Sequence, residues 1–470
     1  METHAVNNQT CRESKLFGTD GIRGTANVEP VTAETALKLG RAAAHWFKNS
    51  PAGPRQREKH RIIIGKDTRL SGYMLENAMV AGITSMGVDV LLVGPLPTPG
   101  VAYMTRSLRC DAGIMLTASH NPYEDNGIKF FQHDGCKLED KVEDEIEELV
   151  FTGRIDSIRP TATEIGKAAR IDDALGRYIE FVKTSVPRGL SLEGLKIAVD
   201  TGHGATYKST PCVLRELGAE VYVLNNTPDG TNINRECGST YPGVIASAAR
   251  QFRANLGISH DGDGDRVILA DENGRVVDGD VMLAITALTA LLAGQLRHNT
   301  LVATVMSNLA LDHAVERAGG KVVRAAVGDR YVIEKMLEID ANIGGEQSGH
   351  MIFRDYGTTG DGIVSALQVL RIMVETGKKL SELAACIEPY PQVLRNVKVK
   401  AKPPIEAMPS VLELVRKAES DIGKRGRVLL RYSGTEPKVR LLIEGEDREK
   451  IEAHAARISE KLKEAIGVEL

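Results

Sequence analysis

The chain has 470 residues, of which 42% are hydrophobic and 26% are charged, and these values are ordinary for a globular protein that folds in water. Its 59 Lys and Arg residues against 63 Asp and Glu residues give a net charge of -4, which argues against a general binder of nucleic acid or another polyanion. The longest apolar run, residues 281–294, is too short to span a bilayer and predicts a buried helix.

The length and the cysteine pattern give expectations about organisation and location. A chain of this length holds about three or four domains, each with its own core. Residues 1–13 are polar and lack an apolar core, so we expect a frayed tail and no signal peptide. The six cysteines show no C-x-x-C spacing, which favours reduced thiols and a cytoplasmic location.

The first segment of the chain alternates predicted helices with predicted strands. The helices are expected at residues 33–47, 73–86 and 139–150, and the strands at 61–65, 88–93, 111–116 and 128–131. The dipeptide Asn126-Gly127 is expected to break the chain before the last of these strands. Alternation of this kind predicts α/β layers with a largely parallel sheet.

A candidate reactive loop follows the strand at 111–116. It reads T-A-S-H-N-P at residues 117–122, so Ser119 is followed by a histidine, an amide and a proline. A serine hydroxyl is a poor nucleophile unless a base or a covalent modification activates it, and His120 and Lys129 are close in sequence. The alternative is a tight turn in which Ser119 and Asn121 only supply hydrogen bonds.

The second segment repeats the alternation and ends in an acidic loop. Strands are expected at 195–199, 220–224, 255–259 and 267–270, with a helix at 207–217 and a long polar loop at 225–243. Between the last two strands, D-G-D-G-D-R at residues 261–266 alternates three carboxylates with two glycines. Carboxylates are hard ligands suited to Mg²⁺ or Ca²⁺, and the glycines let alternate side chains converge on one ion.

An EF-hand calcium loop is the main competitor for this acidic motif. Acids fall at its first, third and fifth positions, and Glu272 falls at its twelfth. However, the sixth position is Arg266, where an EF-hand needs glycine, and predicted strands stand where an EF-hand has helices. A solvated acidic turn without a metal is the other alternative.

The remaining segments are expected to form a third α/β domain and a last domain of a different type. The third has predicted helices at 281–294 and 311–318 and predicted strands at 301–305 and 321–324. After Pro389 and Pro391, the predicted order is strand 393–400, helix 409–418, strands 427–431 and 439–444, and helix 450–466. This order is typical of an α+β domain.

Four motifs, in this order along the chain, resemble those of the α-D-phosphohexomutase superfamily. They are T-A-S-H-N-P (117–122), D-G-D-G-D-R (261–266), G-E-Q-S-G-H (345–350) and R-Y-S-G-T-E-P (431–437), and F-G-T-D-G-I-R-G (17–24) and G-K-D-T-R (65–69) agree with them. The resemblance spans nearly the whole chain and is nearest to the bacterial glucosamine branch. It implies three similar α/β domains with mixed sheets plus a C-terminal α+β domain, four domains around a central cleft. We place the domains at residues 1–165, 166–274, 275–387 and 388–470.

The resemblance also implies a metal and a reaction. The active enzyme would carry phosphoserine at Ser119, and one Mg²⁺ would be bound by Asp261, Asp263, Asp265 and a phosphoryl oxygen on Ser119. The phosphoserine would donate to the 1-hydroxyl or the 6-hydroxyl of a hexosamine monophosphate. A hexosamine 1,6-bisphosphate would then turn around and return its other phosphoryl group, so that the net reaction is an isomerisation by intramolecular phosphotransfer.

Acid, base and charge-stabilising roles are assigned to five residues, which are Lys129, His120, His350, Arg266 and Arg23. Lys129, His120 and His350 are the candidates for acid and base, and the sequence does not rank them. Lys129 would need a lowered pKa to act as a base, which nearby Mg²⁺ and Arg266 could supply. The guanidinium of Arg23 suits a phosphate, with a surface salt bridge as the alternative.

Substrate-binding roles are assigned to two loops. The loop at 345–350 would hold the sugar hydroxyls in either orientation through Glu346 and Ser348, with His350 beside them. The loop at 431–440 would bind the phosphate that is not reacting, through charge-assisted and backbone hydrogen bonds. Its expected ligands are Arg431, Ser433, Gly434, Thr435 and Arg440.

The sugar preference and the reaction class each leave alternatives open. The glucosamine branch is favoured, which would feed UDP-N-acetylglucosamine and cell-wall synthesis, and a phosphomannomutase or phosphoglucomutase of the same superfamily is the alternative. A phosphatase would transfer the phosphoryl group from Ser119 to water, and a sugar-phosphate sensor would bind without isomerising. The expected partner is a small-molecule sugar phosphate, with no nucleic acid and no membrane, and a homodimer stays open.

Overall fold

The computed structural model describes residues 15–18, 20–49, 59–433 and 437–467, apart from the side chain of Lys424. The predicted tail at residues 1–13 lies outside the described residues. The chain separates into two compact units, one made of Met1–Val305 and Val323–Ala384 and the other of Met306–Val322 and Ala385–Leu470.

The first sheet of the larger unit has six strands. They are β1 (Ile22–Thr25), β2 (Arg61–Lys66), β3 (Asp89–Pro95), β4 (Ala112–Leu116), β5 (Asp125–Gln132) and β6 (Ala168–Arg170). Their order is β1-β5-β4-β2-β3-β6, with β5 antiparallel to both neighbours and the other pairs parallel. The accompanying helices are α1 (Ala33–Asn49), α2 (Gly72–Thr84), α3 (Thr98–Ser107), α4 (Asp140–Thr152) and α5 (Ala174–Lys183).

Two glycines allow α1 and α2 to pack closely over this sheet. A Cβ on Gly82 would lie 2.3 Å from the carbonyl oxygen of Leu37, and a Cβ on Gly40 would lie 2.9 Å from that of Met79. The packed helices bury one face of β2, a run of β-branched residues typical of a parallel strand covered on both faces. Because β2 and β4 are parallel, the motifs that follow them begin at the same edge of the sheet.

The second sheet carries the acidic loop. Its strands are β7 (Lys196–Asp200), β8 (Glu220–Leu224), β9 (Leu256–His260), β10 (Val267–Asp271) and β11 (Val276–Val277), and its helices are α6 (Ser209–Glu216) and α7 (Pro242–Gln251). The order is β11-β10-β9-β7-β8, in which β7 is parallel to β8 and β9. Strands β9 and β10 form an antiparallel hairpin, and residues 261–266 connect them, as predicted.

The third sheet is short and mixed. The elements of this region are α8 (Gly279–Leu292), β12 (Thr300–Thr304), α9 (Leu309–Arg317), β13 (Lys321–Ala325), α10 (Asp329–Glu338), β14 (Ile343–Gly345), β15 (Met351–Phe353), α11 (Gly362–Thr376) and α12 (Leu380–Ala384). The strand order is β13-β12-β14-β15. Strand β14 is parallel to β12 and antiparallel to β15, and the connection from β14 to β15 is the loop at 345–350.

The smaller unit contains the α+β elements of the last segment. They are β16 (Gln392–Lys398), α13 (Pro409–Ile422), β17 (Arg427–Tyr432), β18 (Lys438–Glu444) and α14 (Arg448–Ile466). The strands form an antiparallel sheet in the order β16-β18-β17, and its core includes Val411, Leu441 and Ile458. The predicted fold class, three α/β domains with mixed sheets followed by an α+β domain, is confirmed, while the four domain boundaries stay a prediction.

The dipeptide Asn126-Gly127 was expected to break the chain, and this expectation is wrong because both residues lie inside β5. Asn126 is fully buried and donates a hydrogen bond from Nδ2 to Ser71 Oγ at 2.8 Å. Gly127 pairs with Arg23 of β1, and a Cβ there would lie 2.6 Å from the carbonyl oxygen of Ile22. Pairing between distant segments therefore overrides the local turn preference.

Among the described residues, six α-helices have no counterpart in the predicted elements, and they are α3, α5, α7, α10, α11 and α12. Helix α3 begins T-P-G, and these residues usually mark a loop. Pro99 lies in the first turn, however, where the missing N–H costs no helical hydrogen bond. Among the described residues, none of the helices combines the length and the apolar character that crossing a bilayer requires.

A buried carboxylate on α4 gives a pH-dependent prediction for stability. Burial, opposed by Arg330, raises the pKa of Glu143 to about 7. The unfolded chain ionises Glu143 at lower pH than the folded chain does, so wild-type stability falls as pH rises from about 4.5 to about 7. We expect the free energy of unfolding of Glu143→Gln to be close to that of wild type at pH 5 and to exceed it by up to about 3 kcal/mol at pH 8. Denaturant unfolding at the two pH values measures this difference.

The charge of Arg330 remains paired in this variant, since its guanidinium also contacts Asp140 at 2.6 Å and Glu334 at 3.1 Å. The matched control is Glu148→Gln, at an exposed position of the same helix. An equal gain in both variants, or a gain that does not grow between pH 5 and pH 8, would show that ionisation of Glu143 is not the cause.

Candidate active site

Ser119 lies in the loop that follows β4, and its side chain is directed at the acidic loop. The residue is 1% exposed, and its Oγ donates a hydrogen bond to Asp261 Oδ2 at 2.6 Å. Its Oγ also lies 3.4 Å from Nδ1 of His120. The two motifs that the sequence singled out, one after β4 and the other after β9, are therefore in direct contact.

The acidic loop collects three buried carboxylates. Ligand oxygens of Asp261, Asp263 and Asp265 all lie within 4.8 Å of one another. The glycines between them permit a close approach, because a Cβ on Gly262 would lie 2.6 Å from the carbonyl oxygen of Ser119. Like charges at this separation repel strongly in a buried site, so the arrangement requires nearby positive charge.

Lys129 on β5 supplies part of that positive charge. Its Nζ lies 3.1 Å from Asp263 Oδ2, 3.6 Å from Asp265 Oδ2 and 3.2 Å from Asp20 Oδ2. Burial opposes the charged form, but the carboxylates of Asp20, Asp263 and Asp265 outweigh it and raise the pKa of Lys129. The neighbours of Lys129 therefore do not produce the lowered pKa that a general base would need, and Lys129 is a buried cation in this site.

The positive charge is distributed unevenly over the three carboxylates. Burial and the charges of Asp265 and Asp263 raise the pKa of Asp261 well above its usual range. Burial acts on Asp265 in the same direction, but Lys129, His350 and Arg266 hold the pKa of Asp265 well below its usual range. The charge of Asp261 is thus less well compensated than that of Asp265.

The same three residues fit a bound divalent cation. Oδ1 of Asp263 and Oδ1 of Asp265 are buried and have no hydrogen-bond partner among the described residues. A buried set of carboxylate oxygens, two of them unpartnered, is the donor set that a hard cation prefers. Thr98 fixes one ligand, since its Oγ1 donates to Asp263 Oδ2 at 2.6 Å.

A second group of possible ligands, Asp265, Asp329 and His350, also lies within 4.8 Å. Here a lysine ammonium already supplies the positive charge, because Nζ of Lys137 contacts Oδ2 of Asp329 and Oδ1 of Asp20. His350 is 1% exposed, with Nδ1 3.7 Å from Asp265 and Nε2 3.7 Å from Asp329. Nε2 also accepts a hydrogen bond from the backbone N–H of Gly360 at 3.1 Å. Nε2 of His350 is therefore occupied by a hydrogen bond, whereas Nδ1 faces Asp265 at a distance that allows an electrostatic interaction.

His120 and Arg266 form a pair beside Ser119. Burial, Arg266 and Arg23 lower the pKa of His120 to about 4, so its ring is neutral at pH 7. A guanidinium can only donate, and Arg266 Nη1 lies 3.2 Å from Nδ1 of His120, so that nitrogen accepts and the ring proton is on Nε2. Arg23 pairs with Asp20, and its buried Nε has no partner among the described residues.

The predicted sugar-binding residues lie together in the loop between β14 and β15. Ser348 Oγ donates to Oε2 of Glu346 at 3.3 Å, and Oε1 of Glu346 accepts from the backbone N–H of Gly328 at 3.0 Å. The loop packs against β10, since the backbone N–H of Val267 donates to the carbonyl oxygen of Gly349 at 3.1 Å. The carboxylate and the hydroxyl are thus preorganised relative to each other and to the acidic loop.

The predicted phosphate-binding residues lie in the smaller unit. Arg431 and Arg440 are directly opposite each other on β17 and β18. Burial and Arg440 lower the pKa of Arg431, and its buried Nε has no partner among the described residues. Two adjacent guanidinium groups attract an anion, and Ser433 follows β17. Gly434 and Thr435 lie outside the described residues.

Several residues of the site were not assigned a role from sequence. They are Asp20, Asp67, Arg69, Thr98, Lys137, Asn234 and Asp329. Asp20 and Arg69 belong to the motifs at 17–24 and 65–69, which indicated a resemblance but not a contact. Asn234 lies in the polar loop at 225–243, where only the loop length suggested a role.

The chain matches four known domain families in succession. These are the phosphoglucomutase/phosphomannomutase alpha/beta/alpha domain I at residues 14–155, domain II at 176–274, domain III at 278–390 and the C-terminal domain at 394–461. A crystal structure of a phosphoglucomutase/phosphomannomutase family protein from Burkholderia thailandensis has a TM-score of 0.78 at 23% identity, covering 97% of this chain and 99% of that one. This likeness concerns the fold.

Curated relatives are much more similar in sequence. A phosphoglucosamine mutase from Geotalea uraniireducens is 57% identical over 453 residues, which cover 96% of this chain and 98% of the relative. A phosphoglucosamine mutase from Geobacter metallireducens is 58% identical over 453 residues, which cover 96% and 99%. The resemblance predicted from the motifs is confirmed: the chain belongs to the phosphoglucomutase/phosphomannomutase family and, within it, to the phosphoglucosamine mutases.

Proposed function

We propose that this isomerase interconverts glucosamine 6-phosphate and glucosamine 1-phosphate, with Ser119 carrying the phosphoryl group between turnovers. The observation that supports the proposal most directly is the contact between Ser119 Oγ and Asp261 within a buried acidic cluster. In each half-reaction, a P–O bond to Ser119 Oγ breaks or forms as the P–O bond to a sugar oxygen forms or breaks. A hexosamine 1,6-bisphosphate stands between the two halves.

The charged residues around Ser119 are suited to this transfer. Phosphoryl transfer depends mainly on positioning and on neutralising the charge of the transferred oxygens. Lys129 is protonated and buried next to the acidic loop, so it can donate a proton to a leaving oxygen or stabilise its negative charge. Arg23 and Arg266 supply guanidinium groups near Ser119, each with a buried Nε that lacks a hydrogen-bond partner among the described residues.

Asp261, Asp263 and Asp265 would hold one Mg²⁺ together with an oxygen on Ser119. When bound, the cation supplies Lewis-acid stabilisation of phosphoryl oxygens. The protein's own contribution is to keep the ligands fixed, through Thr98 and Lys129 at Asp263 and through His350 at Asp265.

The phosphate that is not reacting would be bound by the loop at 431–440. The supporting observation is the pair Arg431 and Arg440, whose guanidinium groups are adjacent on the sheet of the smaller unit. Glu346 and Ser348 would hold sugar hydroxyls in both orientations of the bisphosphate, as a carboxylate and a hydroxyl fixed 3.3 Å apart can do.

The sugar preference is tested by steady-state kinetics on four 6-phosphates, those of glucosamine, glucose, mannose and N-acetylglucosamine. We expect the highest kcat/KM for glucosamine 6-phosphate, by about 10- to 200-fold, since a single pocket difference is worth about 1–3 kcal/mol. A higher kcat/KM for mannose 6-phosphate would favour the phosphomannomutase alternative. Steady release of inorganic phosphate in place of isomerisation would favour the phosphatase.

A further inference from the structure

The backbone of Ser119 has an unusual conformation for a residue that is not glycine. Its φ is +52°, in the left-handed region, which costs free energy unless the surroundings impose it. The backbone N–H of Ser119 donates to Oγ1 of Thr117 at 2.9 Å, and Oγ1 of Thr117 donates to Oδ2 of Asp67 at 2.7 Å. One side of the serine is thereby tied to the motif after β2.

Arg69 binds the other side of the loop with all of the N–H donors of its guanidinium group. Its side chain is fully buried, and its Nε donates to Asp67 at 2.8 Å. The other donors go to four backbone carbonyl oxygens of the loop: Nη2 to Ser119 at 2.9 Å and Asn121 at 2.8 Å, and Nη1 to Pro122 and, at 3.0 Å, Asp125. All five N–H groups of the guanidinium are therefore used inside the protein.

Asn234 reaches the same two carbonyl groups from the second α/β segment. Its Nδ2 donates to the carbonyl oxygen of Ser119 at 2.8 Å and to that of Asn121 at 3.0 Å. Its own backbone is anchored next to β7, because its N–H donates to the carbonyl oxygen of Gly202 at 2.9 Å. The carbonyl groups of Ser119 and Asn121 thus each accept one hydrogen bond from Arg69 and one from Asn234.

We propose that Arg69 and Asn234 are positioning residues that fix Ser119 Oγ against the acidic loop. Arg69 follows β2, and the serine loop follows β4 of the same sheet, whereas Asn234 belongs to the segment that carries Asp261. The four hydrogen bonds that these two carbonyl groups accept therefore set the distance between Ser119 Oγ and the carboxylates of the acidic loop. A displacement of about 1 Å at a reacting group can cost on the order of 100-fold in rate. This inference rests on the proposed function, since it concerns the reactivity of Ser119.

Asn234→Asp tests the role of the amide with almost no change in shape. The variant replaces a donor to two carbonyl groups by an acceptor, so the serine loop is repelled from its position. We expect kcat to fall about 10- to 100-fold. KM for glucosamine 6-phosphate should stay within about threefold of wild type, because the Nδ2 of Asn234 donates only to carbonyl groups of the serine loop. Rates are divided by the phosphoserine content of each preparation, measured by intact mass.

Asn232→Asp is the matched control. Asn232 lies in the same loop and its Nδ2 also donates to a carbonyl group, but that group belongs to Thr227 of the loop itself. We expect kcat of this variant to be close to wild type. An equal loss of kcat in both variants would mean that the substitutions act by disturbing the fold of the loop. A raised KM at unchanged kcat in Asn234→Asp would mean that Asn234 acts in substrate binding. Either result overturns the inference, as does wild-type kcat in Asn234→Asp.

Arg69→Lys provides a second test of the same role. A lysine ammonium has three donors and cannot replace five, so we expect a loss of kcat at least as large as in Asn234→Asp, measured on protein whose circular dichroism is that of wild type. If Arg69→Lys does not fold, Asn234→Asp decides alone. Failure of the proposed function is recognised separately, by activity in a variant that lacks the Ser119 hydroxyl.

Discussion

Ser119→Ala is expected to lower kcat for isomerisation by at least about 10⁴-fold, the scale of loss seen when a covalent nucleophile is removed. Alanine cannot accept or donate a phosphoryl group, and among the described residues the acidic loop makes no comparable contact with another serine hydroxyl. Binding of the sugar phosphate should be retained, because Glu346, Ser348 and the residues at 431–440 are unchanged. Coupled assay of glucosamine 1-phosphate formation and calorimetric titration with glucosamine 6-phosphate measure the two effects.

Folding should also be retained in Ser119→Ala, since the backbone hydrogen bonds of residue 119 to Thr117, Arg69 and Asn234 do not involve its side chain. The matched control is Ser365→Ala, which removes an equally buried hydroxyl on α11 that donates only to the carbonyl oxygen of Asp361. We expect near-normal kcat in the control. Substantial turnover by Ser119→Ala would disprove the phosphoserine mechanism, and the intact mass of that variant should lack the phosphate adduct that we expect in wild type.

The motifs predicted which residues form the site better than they predicted the ion pairs and hydrogen bonds among those residues. Ser119 and the acidic triplet could be singled out because their residue types are unusual for a turn. The ion-pair partner of each charged residue could not be predicted, because the pairing depends on which sheet edges meet in space. Lys129 is an example: as a lysine near a reactive serine it suggested a base, but the carboxylate of Asp20, more than 100 positions away in sequence, helps to keep it protonated.

Local patterns also determined most elements of the fold but not those fixed by tertiary contacts. Buried β-branched runs such as β2 were recognisable because a covered strand needs such residues. Asn126-Gly127 has the composition of a turn, yet it lies in a strand because its amide is satisfied by Ser71 and its glycine is needed beside β1. Helix α3 was missed for a related reason, as proline in a first turn and proline in a loop look alike in sequence.

Asp261→Asn is expected to lower kcat on the order of 10³-fold, because a metal ion at a phosphoryl group supplies several kcal/mol of charge stabilisation. The same variant should be more stable than wild type in the presence of a chelator. Burial and two neighbouring carboxylates raise the pKa of Asp261, so in the absence of a cation its ionisation at pH 7 opposes folding. This stabilisation should shrink as pH falls toward 4, where Asp261 is protonated in the unfolded chain as well.

Added Mg²⁺ should reverse the order of stability, since it stabilises the wild type by binding to the folded state and has one ligand fewer in the variant. Thermal unfolding with chelator and with Mg²⁺ measures both effects without any activity assay. Asp271→Asn is the matched control on the same hairpin, where the buried carboxylate accepts backbone hydrogen bonds from Asn273 at 2.9 Å and Arg275 at 2.7 Å. That substitution should lower the unfolding temperature and leave its response to Mg²⁺ unchanged. A wild-type response to Mg²⁺ in Asp261→Asn would be incompatible with a metal bound by the acidic loop.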